Sequence, residues 1–442
     1  MIIRHTPGRF ILFVADCLIL FTSLYLALSL RYQNALTFSE FLSFVPPFTV
    51  VIIVSVSIFY GYGLYDKPTL RLIRELNKII FTSQILVVVC ATFLFYSLPV
   101  LGIAPKTILL IYVIISSFLM SIWRRYAFSL VLHYRKQKSI IIGSGETFHN
   151  LVDELSRNPH IGITLLSAID VDTYNMRKLE GVLVSTKPNS IIVDMRDERI
   201  KPLFDAVYRE LFNGAAVLDI VDVYEDVFDM VPLDIINQDW IFKSINVSRR
   251  YDGLKRFTDI IFAIPACVFV GIFIFPFVYL AIKLEDRGPV FYSHLRVGKH
   301  GKPFLIYKFR SMENLPTNEV YEMKRVTRVG NFIRKTRIDE LPQLWNVLRG
   351  DVSLIGPRPE TPNLVEEYAK SVPFYNVRHI VRPGLSGWAQ TQQFGAPKFG
   401  VDIKQTKTKL AYDMYYLEHS SLLTDFSIIL RTIKVLMSKS GV

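Results

Sequence analysis

The sequence has few cysteines and comparatively few acidic residues. Three cysteines occur in 442 residues (Cys17, Cys90 and Cys267), each inside an apolar run. Their number and placement exclude a disulfide framework and a spaced zinc site, and they favour a packing role. Asp and Glu together number 39 against 51 Lys and Arg, which gives a net charge of +12. A basic balance is typical of proteins that meet nucleic acid, an anionic membrane surface or phosphorylated substrates.

Apolar sequence, by contrast, is abundant, because 51% of the residues are hydrophobic. Basic residues precede the first long apolar run, separate the second from the third and follow the fourth, whereas the other two connections have almost none. The positive-inside rule therefore predicts a transmembrane domain, residues 1–137, whose two ends are both cytoplasmic. Asp16 lies inside the first run, where a charged residue has either a functional or a helix-packing role. Four runs have the length needed to cross a bilayer: residues 10–30, 41–63, 79–99 and 107–123.

Residues 138–246 have the pattern of an α/β domain. The stretch "SIIIGSGETFHNLVDELSRN" predicts a strand, a glycine turn and an amphipathic helix, and three later apolar runs predict further strands of a parallel sheet. Gly143 and Gly145 occupy the first two positions of a dinucleotide-binding fingerprint, but Phe148 replaces the third glycine. Asp170 lies where an acid that binds ribose is expected. The pattern predicts a Rossmann-like domain and leaves nucleotide binding and a purely structural or sensing role equally open.

A fifth apolar segment covers residues 260–282. Pro265, Gly271 and Pro276 interrupt it, and a proline inside a helix removes a hydrogen bond and kinks the helix. Lys255 and Arg256 precede the segment, and the chain that follows it is again rich in basic residues. Basic residues on both flanks favour a re-entrant helix, residues 257–283, over a fifth span. Such a helix would hold the C-terminal region against the inner membrane surface.

The stretch "RKTRIDELPQLWNVLRG" predicts a short helix that begins near two adjacent carboxylates, Asp339 and Glu340. Backbone N–H groups and the helix dipole favour negative charge at that end. Pro342 suits the first turn of the helix, and Gly350 suits its C-terminal cap. Acidic residues without a catalytic function are also found in the first turn of a helix. The residues around the pair must therefore decide between an ordinary and a functional interpretation. One apolar helical face comprises Leu341, Leu344, Trp345 and Leu348.

Basic residues recur around this carboxylate pair, several of them in loops shaped by glycine and proline. Arginines bind phosphate oxygens in a bidentate manner, one carboxylate can hold Mg²⁺, and an aspartate can attack phosphorus. The pattern therefore indicates a diphosphate substrate and a divalent cation. The candidate phosphate-binding residues are Lys308, Arg310, Arg334, Arg358 and Arg382.

Residues from about 251 to 438 resemble the catalytic domain of the monotopic phosphoglycosyl transferases, bacterial sugar transferases that begin glycan assembly on polyprenyl phosphate. The resemblance extends over five ordered motifs: "LKRFTD", "GPVFYSHLRVGKHGKPFLIYKFRSM", "RVTRVGNFIRKTRIDELPQLWNVLRGDVSLIGPRPE", "RPGLSGWAQ" and "AYDMYYLEHSSLLTDFSIILRT". The preceding regions are similar to those of the larger members, which resemble the undecaprenyl-phosphate galactose and glucose phosphotransferases of O-antigen, capsule and exopolysaccharide synthesis.

The resemblance implies a mechanism. Asp339 would attack the sugar-bearing phosphorus of a UDP-sugar and release UMP, and undecaprenyl phosphate would then take the sugar phosphate from the enzyme. Mg²⁺ would bind at Asp339 and Glu340, and Glu340 would assist catalysis as a metal ligand or a proton acceptor. Lys308, Arg334 and Arg358 match positions that contact phosphates or brace the loop. Asp413 matches a C-terminal acid that the family needs, and it is counted with the expected substrate-binding residues. The sequence departs from the family at Arg337, where many members have serine, and at Pro265 and Pro276, neither of which follows a serine.

The expected architecture is a membrane protein of the α plus α/β class. It comprises a four-helix transmembrane domain (1–137), a Rossmann-like cytoplasmic domain (138–246) and a small α-rich catalytic domain (251–442) that includes the re-entrant helix. The expected location is the bacterial inner membrane, with the soluble domains on its cytoplasmic face. The expected partners are a UDP-sugar, undecaprenyl phosphate and membrane lipids but no nucleic acid, and the larger family members suggest a homodimer.

Two alternative functions remain. The Rossmann-like domain could make the chain a nucleotide-dependent oxidoreductase or sugar-modifying enzyme, although "GSGETF" departs from the glycine fingerprint. A membrane scaffold or regulator of glycan assembly would need no catalytic residues, and it would leave Asp339 and Glu340 without a purpose. The motifs do not distinguish which sugar is transferred.

Overall fold

The structure, a computed structural model, divides into two compact units, Met1–Ile235 and Ile236–Val442. The first unit contains long apolar helices and a parallel sheet, and the second contains the residues of the carboxylate pair. The described residues are 7–32, 38–65, 73–97, 106–133, 137–158, 161–173, 181–182, 185–245, 248–313, 326–392 and 402–437.

The N-terminal region consists of apolar helices, as predicted. Each contains a stretch that is long and apolar enough to cross a membrane. Large side chains that face neighbouring helices, among them Leu24, Phe48 and Tyr112, form one buried cluster, while others such as Phe93 and Phe118 point outward and are exposed. Exposed aromatic residues on the outside of a helical bundle are typical of contact with lipid. These helices are α1 (Pro7–Tyr32), α2 (Phe38–Gly61), α3 (Ile73–Ser97) and α4 (Lys106–His133).

A buried ion pair joins three parts of this helical region. Asp16 of α1 binds Arg124 of α4, and both side chains are almost completely buried. Arg124 also donates a 3.0 Å hydrogen bond to the carbonyl of Leu64 and lies over the ring of Tyr65. An unpaired charge would be costly at this depth, and pairing offsets the cost. Asp16 therefore has a helix-packing role, and Arg124 is not a free charge flanking the fourth apolar run.

The α/β region forms a four-stranded parallel sheet in the order β2-β1-β3-β4. Ile140, Ile142, Ile191 and Val193 are buried within it, because helices cover a parallel sheet and leave its strands uniformly apolar. The sheet confirms the parallel α/β prediction. Its elements are β1 (Gln137–Gly143), α5 (Gly145–Arg157), β2 (Ile163–Asp170), β3 (Ser190–Val193), α6 (Phe204–Phe212), β4 (Ala216–Asp219) and α7 (Ile220–Phe228).

The second unit begins with the short helix α8 (Gln238–Ser244) and continues with the long apolar segment. That segment consists of α9 (Arg249–Phe269), a π-helical turn (Val270–Ile274) and α10 (Phe275–Asp286). Pro276 lies in the first turn of α10, where a missing N–H costs least, and the wider π turn accommodates the proline. The segment stays helical through this π turn, which lies between the two prolines, and by length and composition Arg250–Glu285 could cross a membrane. The re-entrant form of the segment stays a prediction.

The remainder of the second unit is a small, mostly helical domain. Its two antiparallel strands β5 and β6 form a hairpin, and its short strands β7 and β8 pair in parallel. The elements are β5 (Phe291–Val297), β6 (Pro303–Phe309), α11 (Arg328–Lys335), α12 (Gln343–Arg349), β7 (Ser353–Ile355), α13 (Pro362–Ser371), β8 (Gly384–Ser386), α14 (Trp388–Gln392), α15 (Ile403–Glu418) and α16 (Leu422–Met437).

Both arms of the apolar segment pack against this domain. On α9, Ala263 lies in a buried cluster with Val347, and Arg256 donates to the carbonyls of Val347 and Leu348 at the end of α12. On α10, Val278 and its neighbours pack against side chains of β6 and α11. The two helices on either side of the π turn therefore contact the same domain.

The basic residue that precedes Arg256 is also part of the packing. Lys255 is buried and binds Asp425 of α16 at 2.6 Å, and Tyr251 and Tyr416 donate to the same carboxylate. Lys255 and Arg256 therefore join the apolar segment to the domain, in addition to giving its flank a positive charge.

Candidate active site

The two carboxylates lie in a tight turn immediately before α12. Arg337 has a left-handed backbone conformation (φ 59°), and a single 3-10 turn, Ile338–Glu340, follows it. Pro342 is the N-cap of α12, so the proline precedes the helix, whereas the sequence pattern predicted it in the first turn. Gly350 ends the helix in the left-handed conformation (φ 95°), as predicted. Asp339 and Glu340 are thus held by a turn rather than by the first turn of the helix.

Glu340 is a paired carboxylate. Its Oε1 atom accepts hydrogen bonds from Lys308 at 2.9 Å and from Arg358 at 3.0 Å, and Arg337 lies 4.0 Å away. Burial alone would raise the pKa of Glu340, but Arg358 and Lys308 together lower it to about 2. Glu340 is therefore firmly ionised at neutral pH.

Asp339 has the opposite environment. Among the residues that the structure describes, none donates a hydrogen bond to its carboxylate, and the residue is 9% exposed. Burial and the neighbouring charge of Glu340 raise the pKa of Asp339, although Lys308, Arg337 and Arg334 act against the shift. A partly desolvated carboxylate without hydrogen-bond donors is a better nucleophile than a paired one. Adjacent carboxylates whose pKa values are displaced in opposite directions indicate divided roles.

Asn346 fixes Lys308 relative to this pair. The fully buried Asn346 of α12 accepts from the backbone N–H of Tyr307 at 3.1 Å and donates to the carbonyl of Leu305 at 2.7 Å. An amide that pairs with both a donor and an acceptor of β6 sets the position of the strand along the helix. Lys308 is the next residue of that strand, which brings its amine to Glu340.

Close backbone approach positions the loop that carries Arg358. The N–H of Gly356 donates to the carbonyl of Ser386, and the N–H of Gly384 donates to the carbonyl of Pro357. A Cβ atom at Gly356 would lie 2.5 Å from the carbonyl oxygen of Arg382, and one at Gly384 would lie 2.0 Å from the nitrogen of Gly356. Only glycine permits this approach. The glycines of "GPRPE" and "RPGLSGWAQ" therefore bring two loops together beneath Arg358.

Three successive carbonyl groups of the same loop are also held. Arg378 donates to the carbonyl of Arg358 at 2.9 Å, Arg296 donates to that of Pro359 at 3.0 Å, and the N–H of Val297 donates to that of Glu360 at 3.0 Å. The backbone of the loop is thus anchored at three successive residues, while the guanidinium of Arg358 binds Glu340.

Asp413 takes part in this anchoring. It is buried on α15 and binds Arg378 at 2.8 Å, and Arg378 also donates to the hydroxyl of Tyr375 at 2.8 Å. A chain of contacts thus runs from Asp413 through Arg378 to the backbone of Arg358 and on to Glu340. Asp413 therefore supports the loop indirectly, through its contact with Arg378.

Two other predicted phosphate-binding residues are Arg382, which has a partner elsewhere, and Arg310, which lies against Gly288. Arg382 binds Asp252 of α9 at 2.9 Å, and Lys299 binds the other oxygen of Asp252 at 3.0 Å. The guanidinium of Arg310 lies where a side chain at position 288 would be, because a Cβ at Gly288 would come within 1.7 Å of it. The structure brings Lys308 and Arg358 into contact with Glu340 and places Arg334 near enough to influence Asp339, whereas Arg382 contacts Asp252.

Sequence reasoning did not single out Arg378, Arg296, Asn346 or His294. His294 lies on β5 opposite Ile306, and its Nε2 atom accepts from Arg296 at 2.6 Å. Burial and the charges of Arg296, Lys308 and Arg358 lower the pKa of His294 to about 4, so its imidazole is neutral. The alternation of residues along β5 could have revealed it, since His294 shares a strand face with Tyr292, which pairs with Lys308.

The comparison with known proteins agrees with this geometry. A family model described as a bacterial sugar transferase matches residues 250–439. The undecaprenyl-phosphate galactose phosphotransferase of Salmonella typhimurium is 30% identical over 344 residues, which are 69% of this chain and 69% of that protein. The chain belongs to the bacterial sugar transferase family. The matched region contains both carboxylates and every cationic residue of the site.

Two further sugar transferases show the range of donors in the family. A UDP-N-acetylgalactosamine-undecaprenyl-phosphate N-acetylgalactosaminephosphotransferase of Aeromonas hydrophila is 37% identical over 265 residues, 59% of this chain and 61% of that protein. A UDP-glucose:undecaprenyl-phosphate glucose-1-phosphate transferase of Escherichia coli is 35% identical over 185 residues, 41% of this chain and 39% of that protein. The chain therefore spans only part of the length of several relatives. The names of these three relatives specify three different sugars.

A second family model, described as a CoA-binding domain, matches residues 62–228. Side chains of the α/β domain contact its glycine turn and the helix that follows it. Asp234 accepts hydrogen bonds from the backbone N–H and the hydroxyl of Thr147 in the first turn of α5, so a carboxylate lies at the N-terminus of this helix. Arg199 donates to the hydroxyl of Ser144 in the turn itself and also binds Asp172 and Asp197. Hydrogen bonds and ion pairs within the chain thus hold both the glycine turn and the first turn of α5.

Proposed function

We propose that the chain transfers a sugar 1-phosphate from a UDP-sugar to undecaprenyl phosphate and so begins the assembly of a bacterial polysaccharide. The observation that carries the proposal is the opposite environment of Asp339 and Glu340 beside Lys308 and Arg358. A site that only bound phosphate would need the cations but no desolvated carboxylate. Membership in the family and the names of the relatives support the same reaction.

The reaction proceeds in two displacements at one phosphorus atom. Asp339 attacks the sugar-bearing β-phosphorus, the bond between that phosphorus and the bridging oxygen breaks, and UMP leaves. An oxygen of undecaprenyl phosphate then attacks the phosphorus of the aspartyl sugar phosphate. The carboxylate of Asp339 leaves unchanged, and the product is an undecaprenyl diphosphate sugar. Since one substrate is soluble and the other is a lipid, a covalent intermediate lets both use one site in turn.

The remaining residues have separate tasks in this scheme. Lys308 and Arg358 bind phosphate oxygens and stabilise the charge that develops as UMP leaves. Glu340 keeps these two cations in place while the site is empty, and Arg334 adds positive charge near Asp339. Asn346 and Arg378 hold the strand and the loop that carry the cations, so the geometry is set before substrate binds.

Mg²⁺ is the proposed cofactor, and the donor set fits it. Asp339 offers a carboxylate that receives no hydrogen bond from the described residues, and Glu340 can offer Oε2, since its two hydrogen bonds are made by Oε1. Hard oxygen ligands beside a diphosphate are typical of Mg²⁺ sites. When bound, the ion would neutralise charge on the diphosphate.

The proposed location is the bacterial inner membrane, with the catalytic domain on its cytoplasmic face. Both arms of the segment from α9 to α10 pack against the same domain, and most of its apolar side chains are exposed. A segment that crossed the membrane once would carry its two ends to opposite sides. Contact of both arms with one domain therefore supports a re-entrant helix that enters and leaves by the same face.

UMP release tests the proposed function. Purified protein is assayed with UDP-glucose, UDP-galactose, UDP-N-acetylglucosamine and UDP-N-acetylgalactosamine, in the presence of Mg²⁺ and undecaprenyl phosphate. We expect activity with one of these donors and a loss of at least about a thousandfold in Asp339→Asn. Glu366→Gln, which removes only an exposed partner of Lys370, is the matched control and should retain full activity. Undiminished UMP release by Asp339→Asn would reject the mechanism.

A further inference from the structure

One face of the hairpin of β5 and β6 carries an exposed aromatic ring next to a cation of the candidate active site. Tyr292 of β5 pairs directly with Lys308 of β6. Residues that face each other across two antiparallel strands point to the same side of the sheet, so Tyr292 lies on the side from which Lys308 reaches Glu340. The side chain of Tyr292 is 51% exposed, and it has no task in the reaction scheme given above.

The opposite face of the hairpin is the one that packs against the apolar segment. Phe291 pairs with Phe309, and their rings stack at 5.5 Å between centroids. Phe275 of α10 stacks on Phe291 from the other side at 5.8 Å. Tyr292 follows Phe291 in the strand and therefore points away from this stack. Its exposed ring belongs to the face of the hairpin that carries the charged residues.

His294, two residues further along β5, supports the ring of Tyr292. The two rings lie 5.5 Å apart between centroids, with 24° between their planes. The Nε2 atom of His294 accepts from Arg296, and Arg296 donates to the carbonyl of Pro359 in the loop that carries Arg358. Burial and the nearby cations lower the pKa of His294 to about 4, so the imidazole adds no charge. The aromatic pair and the cation of the loop are thus held by one set of contacts.

The order of groups in a UDP-sugar decides which of them would meet this ring. One ribose joins the base to the α-phosphate, and the transferred sugar lies beyond the β-phosphate. In the proposed reaction Asp339 attacks the β-phosphorus, and the oxygen of UMP leaves on the opposite side of that atom. Lys308 stabilises the departing phosphate in this scheme. A ring next to Lys308 therefore lies on the uridine side of the diphosphate.

A flat, uncharged base is the part of UMP that suits an exposed tyrosine ring. Aromatic side chains that are held in place are common stacking partners of bases, because every base has a π face. We propose that Tyr292 stacks on the uracil base of the UDP-sugar and that His294 positions the ring for this contact. This inference rests on the proposed function, and it names the residue that recognises the nucleoside of the donor.

Substitution of the ring tests the inference. Tyr292→Leu keeps an apolar side chain but removes the aromatic face, Tyr292→Phe keeps that face, and Tyr208→Leu, at an exposed tyrosine of α6, is the matched control. Transfer of labelled sugar phosphate from the preferred UDP-sugar to undecaprenyl phosphate is measured with and without UMP as inhibitor. We expect Tyr292→Leu to raise both the KM for UDP-sugar and the inhibition constant of UMP by roughly tenfold to a hundredfold, without a change in kcat. Tyr292→Phe and Tyr208→Leu should behave like the wild type.

Three results would overturn the inference and leave the proposed function standing. A higher KM for UDP-sugar with an unchanged inhibition constant of UMP would show that the ring binds the transferred sugar. If Tyr292→Leu changed neither constant, no part of the donor would stack on the ring, whatever happened to kcat. Equal effects of Tyr292→Leu and Tyr292→Phe would show that the hydroxyl group matters and the ring face does not. Absence of transfer by the folded wild type from every UDP-sugar would instead reject the proposed function itself.

Discussion

Asp339 and Glu340 are adjacent in the chain, yet their carboxylates have opposite electrostatic environments. Two cations bind Glu340, whereas no described residue donates a hydrogen bond to Asp339. The proposed separation of roles rests on this asymmetry, because a charge-paired carboxylate cannot easily attack phosphorus, and an unpaired one cannot hold two cations in place. Four predictions follow from the contacts around this pair and from the α/β domain.

Removal of the two charges should change stability in opposite directions. The pKa of Glu340 is about 2 against an ordinary 4.5, so its ionisation stabilises the folded protein above pH 4.5, and this contribution disappears as the pH falls toward 2. Glu340→Gln should therefore cost up to about 3 kcal/mol at pH 7. Asp339→Asn should be neutral or stabilising, because ionisation of a carboxylate whose pKa is raised works against folding. Thermal unfolding of both variants in the same detergent measures these two changes in stability. Equal losses of stability in the two variants would contradict the description of the site.

The pH dependence of the first half-reaction should follow Asp339. Attack on phosphorus requires the ionised carboxylate, and since its pKa is raised, the UMP burst should fall at acid pH with a midpoint above 3.8. Glu340→Gln removes a neighbouring negative charge, so the midpoint of the remaining activity should move to lower pH. Single-turnover UMP release between pH 4 and 8 measures both. A midpoint that stays fixed, or that rises, in Glu340→Gln would show that another group controls the acid limb.

Asp413 and Arg378 should behave as one unit that positions Arg358. Asp413→Asn and Arg378→Lys each weaken the support of the Arg358 carbonyl, so each should lower kcat by roughly 10 to 100-fold with a smaller change in the KM for UDP-sugar. The double variant should lose little more than either single one, since residues that share one network are not additive. Lys370→Gln, at an exposed ion pair, should have no effect. Fully additive losses of kcat in the double variant would show that the two residues act independently of each other.

The α/β domain should bind neither CoA nor NAD at its glycine turn. Asp234 holds the first turn of α5, so Asp234→Ala should destabilise the protein by about 1 kcal/mol, as the loss of a helix cap does. Asp153→Ala removes an exposed carboxylate from the same helix and is the control. Calorimetric titration of the wild type with CoA and with NAD should give no heat of binding. Micromolar affinity for either cofactor that depended on Gly145 would contradict this interpretation of the turn.

Local patterns predicted much of the fold. The apolar runs correspond to helices, the apolar stretches after residue 138 form the parallel sheet, and Gly350 caps α12 in the left-handed conformation. These features depend on neighbouring residues and on the period of the apolar pattern, both of which a single sequence contains. The turn before α12 shortened the helix, because Pro342 as its N-cap leaves the two acids in a 3-10 turn.

The pairing of charges could not be predicted in the same way. Lys308 and Arg358 lie 32 and 18 residues from Glu340 in the chain, whereas Arg382 pairs with Asp252, 130 residues away. In the sequence these cations look equivalent, since each follows or lies within a glycine- and proline-rich loop or a short strand. Only tertiary packing distinguishes a residue that contacts the carboxylates from one that joins two elements elsewhere. The sequence leaves the role of Asp413 equally ambiguous. Its contact with Arg378 in the folded structure shows that it supports the site.

The most direct test of the central claim is detection of the covalent intermediate. Protein is incubated with Mg²⁺ and the preferred UDP-sugar labelled at its β-phosphorus, without lipid acceptor, then denatured, digested and analysed by mass spectrometry. We predict one equivalent of sugar phosphate on the peptide that contains Asp339, lost when undecaprenyl phosphate is added before denaturation and absent from Asp339→Asn. Turnover of the wild type without any labelled protein, or label on a peptide that lacks Asp339, would contradict the mechanism.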